Sequence, residues 1–218
     1  FLSTSTHQSE VLAHLLTNIS RNREIAWRYS LNRRMPTRTI FYKNTDLNIL
    51  VSKEALLNTA HMEAVFTGKL NKYRWVSLPK QATLQGPKLC DKVVRSMYYS
   101  EWEQFTSSIE DFIKSTAIKF ATTDGLNGQA LDAVWTNAVL NSENDYEYFD
   151  LEWVLDDKPL PLSWFIFRNV FMVARYISCI PRNLPFENLR ALYEQLCHRL
   201  NVTPEFEKDL ALEIDFQS

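Results

Sequence analysis

Three oxygen-bearing side chains sit at spacings that suit phosphoryl transfer: Asp132, Asn137 and Asp150. Asp132 and Asn137 lie five residues apart within Leu131-Asp132-Ala133-Val134-Trp135-Thr136-Asn137. Asp150 lies 18 residues beyond Asp132 (150 − 132), at the end of a strand-like run. Transfer of a phosphoryl group asks for metal ions on the phosphates, fixed charges, and a group that accepts or orients the proton of the attacking hydroxyl. A hard cation such as Mg2+ takes oxygen ligands and keeps several waters, so one carboxylate and one amide oxygen suffice from the protein. In that reading Asn137 and Asp150 are the metal ligands and Asp132 is the base. The competing reading is structural, with Asp132 and Asp150 as helix or turn caps and Asn137 as a turn residue.

Elements must hold these groups in place. Val139-Leu140 and Tyr146 to Phe149 read as a hairpin, with the turn formers Asn141 to Asp145 between its arms. Upstream, Ile25 to Leu31, Thr37 to Tyr42 and Leu47 to Lys53 read as three strands of an antiparallel meander, rich in β-branched and aromatic residues. Lys53 ends the third strand, where its ammonium could reach nucleotide phosphates. Glu54 to Thr67 reads as a helix, with Glu63 the better partner for Lys53 and Glu54 the poorer; a solvated charge is the alternative for Glu63. Arg33 and Arg34 fill the first turn, either as guanidinium forks on phosphate or as exposed surface charges. Tyr73 to Leu78 and Val93 to Tyr99 read as two more strands, and the connection to a helical half is expected after Tyr98-Tyr99-Ser100. Glu101 to Phe120, Pro161 to Ile180, Phe186 to Leu200 and Pro204 to Phe216 read as helices.

The expected fold is therefore α+β: a two-lobed arrangement with a small antiparallel five-stranded N-terminal sheet and one helix, followed by a mainly helical C-terminal lobe. The expected boundaries are an N-terminal helix or linker over 1–20, the first lobe over 21–99 and the second over 100–218. The first segment carries His7 and His14, read as a solvated helix face rather than a metal site.

Composition narrows the alternatives. The net charge is −2, from 24 basic and 26 acidic residues, which makes no case for nucleic acid as a partner. Only four glycines are present, and neither G-x-G-x-x-G nor G-x-x-x-x-G-K-[ST] occurs. Cys90, Cys179 and Cys197 are far apart and lack a C-x-x-C pair, as expected of buried thiols in a reducing, cytoplasmic setting. The most apolar run, Leu160 to Ile180, is broken by Arg168, Asn169 and Arg175, so no membrane span is expected. The chain opens on Phe1 rather than Met, as expected of a fragment of a longer protein.

Tyr148-Phe149-Asp150-Leu151-Glu152-Trp153 resembles the D-x-E metal-binding motif of small-molecule kinases such as choline kinases and aminoglycoside phosphotransferases. More specifically, the chain resembles the kinase-like C-terminal domain attached to methyltransferases in bacterial surface-polysaccharide proteins. The similarity lies in Tyr29 to Arg34, Lys53 with Ala60-His61, Asp132 to Asn137, Phe149 to Trp153, Leu160 to Arg168, and Glu213 to Gln217. It implies a protein-kinase-like fold, ATP as donor, Mg2+, a glycan or other hydroxyl-bearing small molecule as acceptor, and an upstream methyltransferase. An inactive, pseudokinase-like binding or regulatory domain is the alternative. The chain departs from the pattern in three places. Its first turn has no glycine. Trp135 and Thr136 stand where a lysine often assists. Ala130-Leu131 precede Asp132 where a histidine often stands, so a hydrogen-bonded support for the loop is expected to be missing.

Overall fold

The structure is a computed structural model and describes residues 24–30, 37–43, 49–56, 72–76, 78–82, 84, 86–156, 158–176 and 184–217. Contacts divide the chain into two compact units. Unit 1 comprises Phe1–Thr67 and Ser77–Thr83, and unit 2 comprises Gly68–Val76 and Leu84–Ser218.

The described part of unit 1 is one antiparallel sheet in the order β1-β2-β3-β5. Its strands are β1 (Glu24–Ser30), β2 (Thr37–Lys43), β3 (Ile49–Ala55) and β5 (Leu78–Ala82). The three expected meander strands are present within one or two residues of their expected limits. Alternating β-branched and aromatic positions set them up, and cross-strand pairing sets their register: Trp27 opposite Ile40, and Ile40 opposite Ser52. Ile40 and Thr37 are buried on β2. Lys53 stands two residues inside the end of β3, opposite Thr39 on β2 and Leu78 on β5, and is only 5% exposed. Arg38 and Glu54, also opposite each other, pair at 3.2 Å on the exposed side, where an ion pair stabilises little.

Among the described residues this sheet has four strands, not five. The expected fourth strand, Tyr73 to Leu78, is not in this sheet as one piece: Tyr73–Trp75 pairs with Trp153–Leu155 in unit 2, and Leu78–Ala82 takes the fourth place. The expected fifth strand, Val93 to Tyr99, lies in helix α1 (Leu89–Tyr98). Val93-Val94 and Tyr98-Tyr99 have the composition of a strand. Yet Leu89, Val93, Ser96 and Met97 are buried at helical spacing, and packing of that stripe overrides propensity. The expected connection at Tyr98-Tyr99-Ser100 is consequently a corner between two helices inside unit 2. Glu101 N donates to Ser96 O and Ser100 N to Met97 O, while Ser100 turns the chain with φ 59°.

Unit 2 is built on four further helices: α2 (Trp102–Lys119), α3 (Leu162–Ala174), α4 (Leu189–Arg199) and α5 (Phe206–Gln217). On α2, Phe105, Ile109, Phe112 and Ile113 form the core stripe, whereas Ile118 falls off that face and is 78% exposed. Helix α3 is apolar on almost all sides and runs through the core, burying Trp164, Phe165, Ile166 and Val173. Helix α4 adds Leu192, Tyr193, Leu196 and Cys197.

Three small antiparallel pairs complete unit 2. They are β4 (Tyr73–Trp75) with β10 (Trp153–Leu155), β6 (Ala121–Thr122) with β7 (Gly125–Leu126), and β8 (Ala138–Leu140) with β9 (Tyr146–Tyr148). The molecule is thus α+β with small antiparallel sheets. No helix among the described residues is long and apolar enough to cross a membrane.

Candidate functional site

Asp132 ends a short 3-10 helix, Gly128–Asp132, and a second 3-10 turn, Trp135–Asn137, follows at once. Asn127 caps the first: its Oδ1 accepts from Gln129 N at 2.9 Å. Gly128 is required by contact. A Cβ there would lie 1.9 Å from the Leu155 carbonyl oxygen, so only glycine lets β10 lie against this turn. The expected hairpin is present as β8 and β9. Its turn is closed by Asn141, whose Oδ1 accepts from Glu143 N and Asp145 N.

The expected triad comes together through main-chain and side-chain bonds. Asn137 Nδ2 donates to the Asp132 carbonyl at 3.1 Å, which leaves Oδ1 as the amide's acceptor end. Phe149 N donates to the Asn137 carbonyl at 2.9 Å, tying the residue before Asp150 to Asn137. Asp132 Oδ2 accepts from the amides of both Glu152 and Trp153 at 2.9 Å. Asp150 turns the chain between β9 and β10 with φ 66°, a left-handed conformation that costs a non-glycine residue about 1–2 kcal/mol. Backbone of this kind concentrates where a site needs a particular side-chain placement.

The expectation of an unsupported loop is overturned. Two consecutive residues in the middle of α3 hold it. Arg168 Nε donates to the Leu131 carbonyl at 2.9 Å. Asn169 Oδ1 accepts from Trp135 N at 3.0 Å, and the Asn169 carbonyl accepts from Trp135 Nε1 at 2.8 Å. The guanidinium of Arg168 is itself held from α5, with Nη1 lying 2.9 Å from both Glu213 oxygens. Trp164 Nε1 and Gln217 Nε2 also donate to the Glu213 carboxylate, at 3.0 and 2.8 Å. The Phe216 ring lies 4.4 Å beneath the Arg168 guanidinium.

Asp132 is half-buried, and the desolvation of its carboxyl among core residues pushes it up to about 6, with the nearby Asp150 charge adding to the rise. The Arg168 charge and the two amide bonds oppose it. A proton acceptor poised near neutrality is suited to general-base work. Elsewhere in unit 2, burial raises the thiols of Cys90 and Cys197, which makes both poor nucleophiles.

The remaining sequence-derived candidates divide in two. Lys53 is buried on β3 of unit 1. A buried ammonium is retained only with compensating partners, which fits a role on an anion as well as one in the sheet. Arg33, Arg34 and Glu63 lie outside the described residues, as does the expected N-terminal segment. Arg168, Asn169 and Glu213 were not among the site candidates. Their signal was present, since Arg168 and Asn169 interrupt the most apolar run of the chain, and a charge retained in such a run is a polar contact in waiting.

No set of three or more His, Cys, Asp or Glu side chains is arranged to hold a metal ion among the described residues. A scan of protein-family models and a search of curated proteins each return no match to this chain.

Proposed function

We propose that this chain is a kinase-fold phosphotransferase that moves the terminal phosphoryl group of ATP to a hydroxyl of a glycan or other small molecule. The observation that carries the reading is the bonded framework joining Asp132, Asn137 and the residues flanking Asp150. In this reading Asp132 Oδ1 faces the acceptor, since both recorded bonds of the carboxylate fall on Oδ2. Asp132 takes the hydroxyl proton as the acceptor oxygen attacks the terminal phosphorus, and the nucleoside diphosphate leaves. Asn137 and Asp150 are the residues that would hold Mg2+, which would supply positive charge at the phosphate oxygens. The sequence pattern alone assigns Lys53, and outside the described residues Glu63, Arg33 and Arg34, to the phosphates. An upstream methyltransferase, and a glycan or other hydroxyl-bearing small molecule as acceptor, are what the resemblance of segments such as Tyr29 to Arg34 and Phe149 to Trp153 implies.

A second reading is favoured by one specific observation. The two amide bonds on Asp132 Oδ2 are what a purely structural aspartate would make, and they suit an inactive binding or regulatory domain. A thermal titration with millimolar ATP and Mg2+ separates the two. The transferase is expected to gain several degrees in Tm, dependent on both components. Absence of any stabilisation would sink the transferase reading. Where binding is seen, ATP turnover unchanged in both Asp132→Asn and Asp150→Asn would refute the assigned roles.

A further inference from the structure

We propose that Glu213 and Arg168 form a positioning relay through which the C-terminal helix α5 holds the Asp132 loop in its working geometry. The inference rests on the phosphotransferase reading of Asp132. The relay has three links, each a direct bond: Glu213 to the Arg168 guanidinium, Arg168 Nε to the Leu131 carbonyl, and the covalent step from Leu131 to Asp132. Both charged side chains are almost wholly buried, at 3% and 2% exposure.

The arrangement exceeds what anchoring a helix requires. A buried ion pair adds little net stability over well-packed apolar residues of the same volume, so stability alone gives weak reason to keep one here. The Glu213 carboxylate is saturated by donors from Arg168, Trp164 and Gln217, which leaves the guanidinium little freedom. Its Nε is spent on the main-chain carbonyl immediately before Asp132. Asn169, the next residue of α3, grips Trp135 on the other side. The loop is thus clamped at both ends by neighbouring residues of one helix, and α5 sets one of the two clamps. The charges that face Asp132 are Arg168 from α3 and Asp150 from the segment before β10, with Glu152 on that same segment and Glu213 beyond the guanidinium on α5. Arg168 is the one cation in that group.

The test reads Asp132 itself in the full chain without nucleotide. Exchange of the Glu152 and Trp153 amides, which report the hold on Asp132 Oδ2, is followed by NMR. Arg168→Gln is expected to speed exchange of both amides at least tenfold. Arg168→Lys, which keeps the charge but loses the fork, is expected not to restore the slow exchange. In turnover assays Arg168→Gln should lower kcat at least tenfold with little change in KM for ATP. Asn188→Ala serves as the control, because it removes the cap of α4 without touching α5 or the relay.

Amide exchange unchanged in Arg168→Gln overturns the relay, as does the same acceleration produced by Asn188→Ala. If Arg168→Gln does not fold, Glu213→Gln decides on the same exchange readout, with slow exchange at both amides as the refuting result. Because these readouts need no catalysis, an inert protein whose Asp132 follows Arg168 sinks the transferase reading alone. An active one whose Asp132 ignores Arg168 sinks the relay alone.

Discussion

At the residue scale, Asp132 combines two demands that usually conflict. It is a bonded structural centre, through two amides on one oxygen, and a carboxyl raised to about 6 by burial. Asparagine can keep the amide bonds while removing the charge. Asp132→Asn should therefore lose phosphoryl transfer by about 10²–10⁴-fold while remaining at least as stable as the parent at pH 8. On the proposed phosphotransferase reading, kcat/KM should fall as pH drops through about 6, the limb reporting Asp132 protonation. A pH-independent rate between 5 and 8 would remove Asp132 from the base role. Gly128 is the second residue-scale case. With a Cβ 1.9 Å from the Leu155 oxygen, Gly128→Ala must push β10 away from the turn. A loss of about 2–4 kcal/mol in denaturant unfolding is expected, and wild-type stability would show that the two segments separate freely. Asp132, Asn137 and Asp150 were legible in the sequence because side-chain chemistry and spacing survive without coordinates. Which oxygen of Asp132 is spent on Glu152 and Trp153 was not legible, since it depends on how residues 20 apart meet.

At the element scale, α3 is the scaffold of the site. Its sequence reads as a core helix, and the structure adds that two polar residues at its centre carry the loop. Asn169 is fully buried with its amide engaged at both ends: Oδ1 takes Trp135 N, and Nδ2 donates to the Phe165 carbonyl. Asn169→Leu keeps the volume but leaves the Trp135 amide buried without its acceptor. Orphaning such a donor costs about 1–3 kcal/mol, so a drop of several degrees in Tm is expected, together with faster exchange at the Trp135 amide. A neutral result would show that water replaces the lost acceptor. The element misread from sequence, α1, shows why composition can mislead. Val93-Val94 and Tyr98-Tyr99 carry strand propensity, but the buried Leu89, Val93, Ser96 and Met97 follow a helical period that opens four residues earlier. The stripe gains more from packing than β-branching costs in helix propensity.

For the whole molecule, buried carboxyls of opposite tendency set the pH of greatest stability. Asp132 and Asp209 are raised, chiefly by burial, so they favour the fold while protonated. The stability linked to Asp132 is fully present below its unfolded value near 4 and is lost as pH rises through about 6. Glu110 is lowered, chiefly by its hydrogen bond from Lys114, and its contribution is present above its unfolded value and lost as pH falls through its folded one. Glu110's contribution is in place above about 4.5, whereas that of Asp132 declines from about 4 to about 6. Urea unfolding should therefore show a fall in stability between about pH 4.5 and 6 that Asp132→Asn flattens. An identical fall in Asp132→Asn would remove Asp132 as its cause.

The sequence by itself determined the mixed α+β class, the meander strands and the apolar helices, because periodicity and side-chain type act over a few neighbouring positions. Only the tertiary structure decided that 93–98 is helical, through the packing of a buried stripe, and that Arg168, Asn169 and Glu213 stand behind Asp132. The second outcome turns on contacts between residues 34 to 45 positions apart, where buried donors and charges must each find a partner. No local pattern says which partner that is; the packing of α3 against α5 does.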